Sequence, residues 1–167
     1  DIVDLDLNGE QMYITTKYGI TVLDYDAKTS ADQWMPQGVE LFDSLILTQD
    51  SMAYAMVIAT SIGIVVAPLQ VDGGLSQLSS WNWAEIGQIN SLQYLNIEGS
   101  TQQILALGDA GTGNVLEIDG EASIAAIHEL GNGIKSALFE ANASVSSIAH
   151  GHPNGGALTL YIGTDRG

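Results

Sequence analysis

Apolar residues fall in short runs along this chain, separated by polar clusters rich in Gly, Asn and Asp. Within a run, alternation mixes with brief continuous stretches, as at Ile2, Leu5 and Leu7 or at Leu45 and Leu47. That is the pattern of strands buried on one or both faces. β-branched and aromatic residues are frequent in the runs, as a pleated, half-buried surface favours. A helical period is nearly absent. One stretch, GIKSALFEAN at 133–142, places Ile134, Ala137 and Leu138 at i, i+3 and i+4. It reads as a short helix or as a strand with an insertion.

The runs repeat. Four segments open alike: IVDLDL at Ile2, FDSLIL at Phe42, INSLQY at Ile89 and VSSIAH at Val145. Each leads to a second run, QMYITT, AMVIAT, QILALG or TLYIGT, and then to a glycine turn. From Gly19 to Gly63, Gly113 and Gly167 the steps are 44, 50 and 54 residues. A unit of about 45 residues with four short strands has the period of a β-propeller blade. The first unit is expected to hold strands at Ile2–Leu7, Gln11–Thr16 and Ile20–Tyr25, with a fourth inside Gln33–Leu41. The second is expected at Asp43–Thr48, Ala53–Thr60, Gly63–Gln70 and Leu78–Glu85, and the third at Ser91–Asn96, Gln102–Leu107, Asn114–Ile118 and Ala122–Leu130. The fourth supplies Ser144–Ala149 and Leu158–Gly163.

The chain is therefore expected to be all-β, one partial β-propeller domain of about three and a half four-stranded antiparallel blades. Its units lie at 1–41, 42–87, 88–143 and 144–167. The closing YIGTDRG stops at a turn between strands two and three, so further blades of the same polypeptide or another chain, a homo-oligomer included, are expected to supply the rest. An ordinary β-sandwich is the alternative. The matched T-x-x-G-I turns at Thr16–Ile20 and Thr60–Ile64 argue against it. Glycine at these turns can take φ > 0, and the Thr can hydrogen-bond the local backbone.

YIGTDRG, ITTKYGI and IATSIGI together resemble propeller repeats of the two-component-regulator type, where a segment like L-Y/W-I-G-T-x-x-G-L joins the second strand to the third. The third unit departs from the pattern: LALGDAGTGNV lacks the Thr and lengthens the turn. The resemblance implies a sensor or binding module outside the cytoplasm.

Charge changes the picture of partners. Twenty acidic residues face Lys17, Lys28, Lys135 and Arg166, for a net charge of −16. Such a surface repels nucleic-acid phosphates and anionic lipid. No apolar run reaches the ~18 residues of a membrane span. The acidity fits a secreted or salt-adapted protein, or one in a calcium-rich setting, and the expected location is extracellular or periplasmic. There is no Cys, which removes disulfides and thiolate chemistry.

Calcium is the one cofactor the loops suggest. DLDLNGE places Asp4, Asp6 and Asn8 at positions 1, 3 and 5 of a calcium loop, but position 12 is Thr15 rather than Glu. The competing reading is a solvated strand face with an Asn-Gly hairpin turn. Asp24, Asp26 and Asp32 form a second oxygen-rich group. His150 and His152 stand two apart, with His128 the remaining imidazole, and read better as a polar turn than as metal ligands. Trp81 and Trp83 share a strand face, fit either to stack a ligand or to fill space between blades. The turns and connections of a propeller share one face, which gathers Tyr18, Ile62, Asp109, Asp165 and Arg166 at a binding mouth. These readings favour a ligand-binding or assembly module without catalysis. A carbohydrate-active hydrolase or lyase and a surface-layer or filament subunit are the alternatives.

Overall fold

The computed structural model describes residues 1–70, 74–98, 101–108, 113–130, 145–151 and 159–164. Four antiparallel sheets account for them, each with its strands in chain order. The first holds β1 (Ile2–Asn8), β2 (Gln11–Thr16), β3 (Gly19–Asp24) and β4 (Thr29–Trp34). The second holds β5 (Leu41–Gln49), β6 (Met52–Thr60), β7 (Ile64–Pro68) and β8 (Asn82–Ala84). The third holds β9 (Ser91–Glu98), β10 (Thr101–Leu107), β11 (Gly113–Ile118) and β12 (Ile124–Glu129), and a pair follows, β13 (Val145–Gly151) with β14 (Thr159–Thr164). The first strands lie side by side in the order β1, β5, β9 and β13. The sheets then stack face on face, which is the arrangement of consecutive blades in a partial β-propeller.

Packing follows the period-two alternation. Tyr13, Ile20 and Val22 of the first blade are fully buried against Met56, Ile58, Val65 and Ala67 of the second. The opposite face of the second blade, with Val57, Ala59, Ile64 and Val66, packs on Ile104, Ala106, Leu116 and Ile118 of the third. The second blade is thus apolar on both faces, and the run from Ala55 to Thr60 is buried throughout.

Two strands differ from expectation. β4 begins at Thr29 rather than within Gln33–Leu41, because the turn after β3 is tight. Lys28 takes φ 56°, and Asp24 Oδ1 accepts a hydrogen bond from the Ala27 N–H at 2.8 Å. Pro36 and Gly38 (φ 72°) then belong to the connection between blades. Of the strand expected at Leu78–Glu85, only Asn82–Ala84 pairs, since Leu78–Ser80 coils into a 3-10 turn closed by Ser80 N–H donating to Gln77 O. The helix-or-strand stretch at 133–142 lies outside the described residues.

The T-x-x-G turns use their threonines. Thr16 Oγ1 donates to Gly19 O at 3.0 Å, and Thr60 Oγ1 donates to Gly63 O at 2.9 Å while accepting from Gly63 N–H at 3.1 Å. These turns also meet the connections between blades. Leu41 N–H donates to Lys17 O at 2.9 Å, Ser61 N–H to Glu40 O at 2.9 Å, and Ile89 N–H to Thr60 O at 3.0 Å. Turns and connections therefore share one face, called the upper face below.

Candidate functional site

The upper face carries the first group of expected site residues. Tyr18 and Ile62 sit at the tips of the β2–β3 and β6–β7 turns, and their side chains are 64% and 40% exposed. Lys17, in the same turn as Tyr18, is paired with Glu40 of the connection at 3.1 Å and placed over the Tyr18 ring at 5.9 Å. The chain has four Lys and Arg in all, so this cation beside an exposed aromatic ring sets the upper face apart locally. Asp109, Asp165 and Arg166 lie outside the described residues.

The two tryptophans divide. Trp81 is buried and packs against Trp34 with ring centroids 4.4 Å apart and planes tilted by 52°, its indole N–H donating to Ser76 O at 3.1 Å. Trp83 is 41% exposed and meets Trp34 edge-on at 6.4 Å. Trp34 and Trp81 belong to the apolar seam between the first two blades, while Trp83 touches Trp34 from the exposed side. Trp81 is occupied by that packing.

The aspartates of the first strands lie in a hydrogen-bonded cluster between neighbouring blades. Asp4 and Asp6 project from β1 on the same side, as alternate residues of a strand must. Ser44 Oγ on β5 contacts both, at 2.9 Å from Asp4 Oδ2 and 3.1 Å from Asp6 Oδ2, and it accepts from Thr15 Oγ1 at 2.9 Å. Burial, then the neighbouring Asp4 charge, pushes the Asp6 carboxyl up to about 7. Asp43, on β5, receives the Leu92 N–H of the next blade at 2.7 Å and its neighbour Ser44 N–H at 2.9 Å. Burial raises its carboxyl to about 6, against the lowering effect of those N–H donors.

Asp4 and Asp43 share a structural role. Asp4 lies opposite Thr15, and Asp43 lies opposite Ala59, each just before the turn threonine. Asp4 and Asp43 therefore hold equivalent places, although aligning the apolar runs would match Asp4 with Ser44. Each carboxylate reaches forward to the first strand of the following blade. Sequence reasoning found Asp4 and Asp6 but not Asp43 or Ser44. The signal was the one-residue offset that appears when the runs are counted back from Thr16 and Thr60.

The calcium expectation meets other chemistry at the same residues. Thr15, at the position a bidentate Glu would take, is buried and bonded to Ser44. Asp24 caps its own turn, Asp26 is exposed, and the Asp32 side chain lies outside the described residues. Asn8 ends β1 at the Gly9–Glu10 hairpin turn. Among the described residues no three His, Asp or Glu side chains are grouped to hold a metal. His128 contacts Glu117 at 3.2 Å, and neither His152 nor the His150 side chain is described.

At the opposite end of the blades a cleft of about 410 Å³ is lined by Gln49, Met52, Tyr54, Leu69 and Gln70. Burial, then the Asp119 charge, pushes the Tyr54 hydroxyl up to about 12, so it stays a neutral donor. Nothing in the sequence pattern pointed to this cleft.

No family model matches the chain, and no curated protein sequence matches it. Solved structures do match. One is a chain of the S. cerevisiae assembly of Dbp5 bound to Nup159, Gle1, IP6 and ADP, at TM-score 0.50 and 15% identity over 89% of this chain and 36% of that one. Another is Chaetomium thermophilum Raptor, at TM-score 0.54 and 14% identity over 98% of this chain and 15% of that one. A third is the WD40 domain of SCAP from fission yeast, at TM-score 0.50 and 16% identity over 98% of this chain and 40% of that one. The chain thus spans less than half the length of each. At these identities the likeness is one of fold: a WD40-like propeller arrangement of four-stranded blades.

Proposed function

We propose that this chain is a ligand-binding or assembly module of propeller type, acting outside the cytoplasm and without catalysis of its own. The observation that carries this is the upper face, where Tyr18 and Ile62 stand exposed on turns that the blade connections hold in place. Rigid turns presenting aromatic and apolar side chains suit recognition. The resemblance to two-component-regulator propellers and the charge of −16 support the extracytoplasmic setting.

The raised carboxyl of Asp6 beside Asp4 favours a second reading, a hydrolase or lyase using the two as an acid–base pair. Against it, Ser44 engages both of these aspartates as a link between the first strands of neighbouring blades. Glycan and peptide arrays, followed by titration of any hit, test both. The binding reading expects Tyr18→Ala with Ile62→Ala to weaken the hit about tenfold at unchanged melting temperature. Binding that survives both substitutions, or glycan cleavage abolished by Asp6→Asn, overturns it.

A further inference from the structure

The lower end of the second blade holds a cleft outside the upper face. Its walls are fixed by hydrogen bonds: Leu69 N–H donates to Tyr54 O at 2.8 Å, Gln70 N–H to Gly74 O at 2.8 Å and Gln70 Nε2 to Leu75 O at 2.7 Å. Met52, Tyr54 and Leu69 give it apolar and aromatic sides, and Asp50 stands in the hairpin turn on its rim. The β11–β12 turn of the third blade lies against it, since a Cβ on Gly120 would stand 3.0 Å from Gln49 Oε1. That turn is tied down twice. Asp119 Oδ1 accepts the N–H groups of Glu121 and Ser123 at 2.9 and 2.8 Å, and Asn82 Nδ2 donates to Ala122 O at 3.0 Å. The Asp119 carboxylate is thereby held close enough for its charge to act on the Tyr54 hydroxyl.

We propose that this cleft binds an alkylammonium or alkylguanidinium group, its carbon stem along Met52 and Leu69 and its charged head toward the Asp119 carboxylate and the Tyr54 hydroxyl. Walls and charge select that chemistry together. An apolar slot beside carboxylates matches a group that buries its carbon chain and keeps its cation at a polar end. Tyr54 stays a neutral phenol, pushed up to about 12 by burial and then by Asp119, so its oxygen can accept a hydrogen bond from the cation. The potential that opposes a phenolate there favours a positive charge in the same place. Neither cation among the described residues competes for the cleft. Lys17 is paired with Glu40 on the upper face, and Lys28 lies in the β3–β4 turn of the first blade. An anionic ligand would meet these carboxylates and the net charge of −16. A Lys or Arg side chain of a partner and a free organic amine share the chemistry. The site goes beyond the reading given for the upper face and does not depend on it.

Amide NMR of the isotope-labelled chain, titrated with n-butylammonium chloride at constant ionic strength, tests this. We expect saturable shifts at the Ala53, Tyr54 and Gln70 amides. Asp119→Asn keeps the acceptor that closes its turn and removes the charge, so it should weaken binding about fivefold. Met52→Ser, at a side chain 68% exposed, should leave the fold intact and weaken binding about threefold. Asp26→Asn removes an equal charge from an exposed turn of the first blade and should leave binding unchanged. A capped Gly-Ser peptide with one central Lys or Arg separates the two sources. Binding about tenfold tighter than the amine assigns the site to a partner's side chain, and equal or weaker binding assigns it to a free amine. Butanol supplies the stem without the cation and should bind more weakly than the amine. Butanol that saturates the same shifts as tightly overturns the proposal. So does an Asp119→Asn variant that loses no more affinity than Asp26→Asn, which would leave only general attraction of cations to an acidic surface. Shifts at these amides that saturate with neither amine nor peptide overturn it too. None of these outcomes bears on the upper face, whose variants lie at Tyr18 and Ile62.

Discussion

A Cβ on Gly63 would collide with the carbonyl oxygen of Ala84, and its φ of 153° is one that L side chains rarely adopt. Gly63→Ala should therefore destabilise the fold by about 2–3 kcal/mol or more in urea unfolding. Gly9→Ala faces open space and loses only its left-handed backbone preference, about 1–2 kcal/mol. The aspartates divide in a different way. Asp6→Asn removes a carboxyl that sits beside Asp4 and titrates near 7, so it should raise the melting temperature at pH 8. Asp43→Asn replaces an acceptor of two backbone N–H groups by a side chain with one acceptor, and should lower it. A shift of the same sign in both variants would contradict the separate roles given to them. In a domain of this size roughly 2–4 °C corresponds to 1 kcal/mol.

At the scale of elements, the blade 1–blade 2 seam depends on the bulk of Trp34 and Trp81. Trp81→Ala should cost about 3–5 kcal/mol, as for other large-to-small core changes. The exposed Trp83→Ala should cost about 1 kcal/mol or less, and calorimetry on the pair separates packing from surface. The β5–β6 hairpin turns on Asp50 and Ser51, at φ 51° and 68°. A two-residue turn with both φ positive is type I′, for which Asp-Gly is favoured. Ser51→Gly should thus stabilise by a few tenths to about 1 kcal/mol. Blade register is an element-scale property too. Period-two alternation located most of the strands within a residue or two, but not the one-residue offset between Asp4 and Asp43. Apolar runs alone match at either phase, and the pairing with Thr15 and Ala59 chooses between them.

For the whole molecule, charge and titration act in the same direction. Asp6 and Asp43 keep their protons in the folded state at pH values where the unfolded chain, with carboxyls near 3.8, has lost them. The folded state then binds more protons between pH 4 and about 7, so stability falls as pH rises through that window. The melting temperature should be higher at pH 5 than at pH 8, and Asp6→Asn should reduce the difference. Self-repulsion at −16 adds to the slope and is screened by salt. Raising ionic strength from about 0.01 M to 0.5 M at pH 8 should therefore raise the melting temperature. A flat response would remove charge repulsion from the account of this fold.

Period, turn residues and composition are properties of short stretches, and they determined the all-β class, most of the strands and the T-x-x-G turns. A run such as AMVIAT states that both faces of its strand are apolar whatever lies beside it. Composition likewise makes the surface acidic, since twenty carboxylates and four cations cannot balance in any fold. Only the tertiary structure decided which polar groups meet. Asp4 and Asp6 stand about forty residues from Ser44, and Asp43 about fifty from Leu92. Their contact depends on the order in which first strands lie side by side, a non-local relation that no window along the chain contains. The same holds for the tryptophans: Trp34, Trp81 and Trp83 alternate or stand apart in sequence, and burial separates them only once two blades close on the seam.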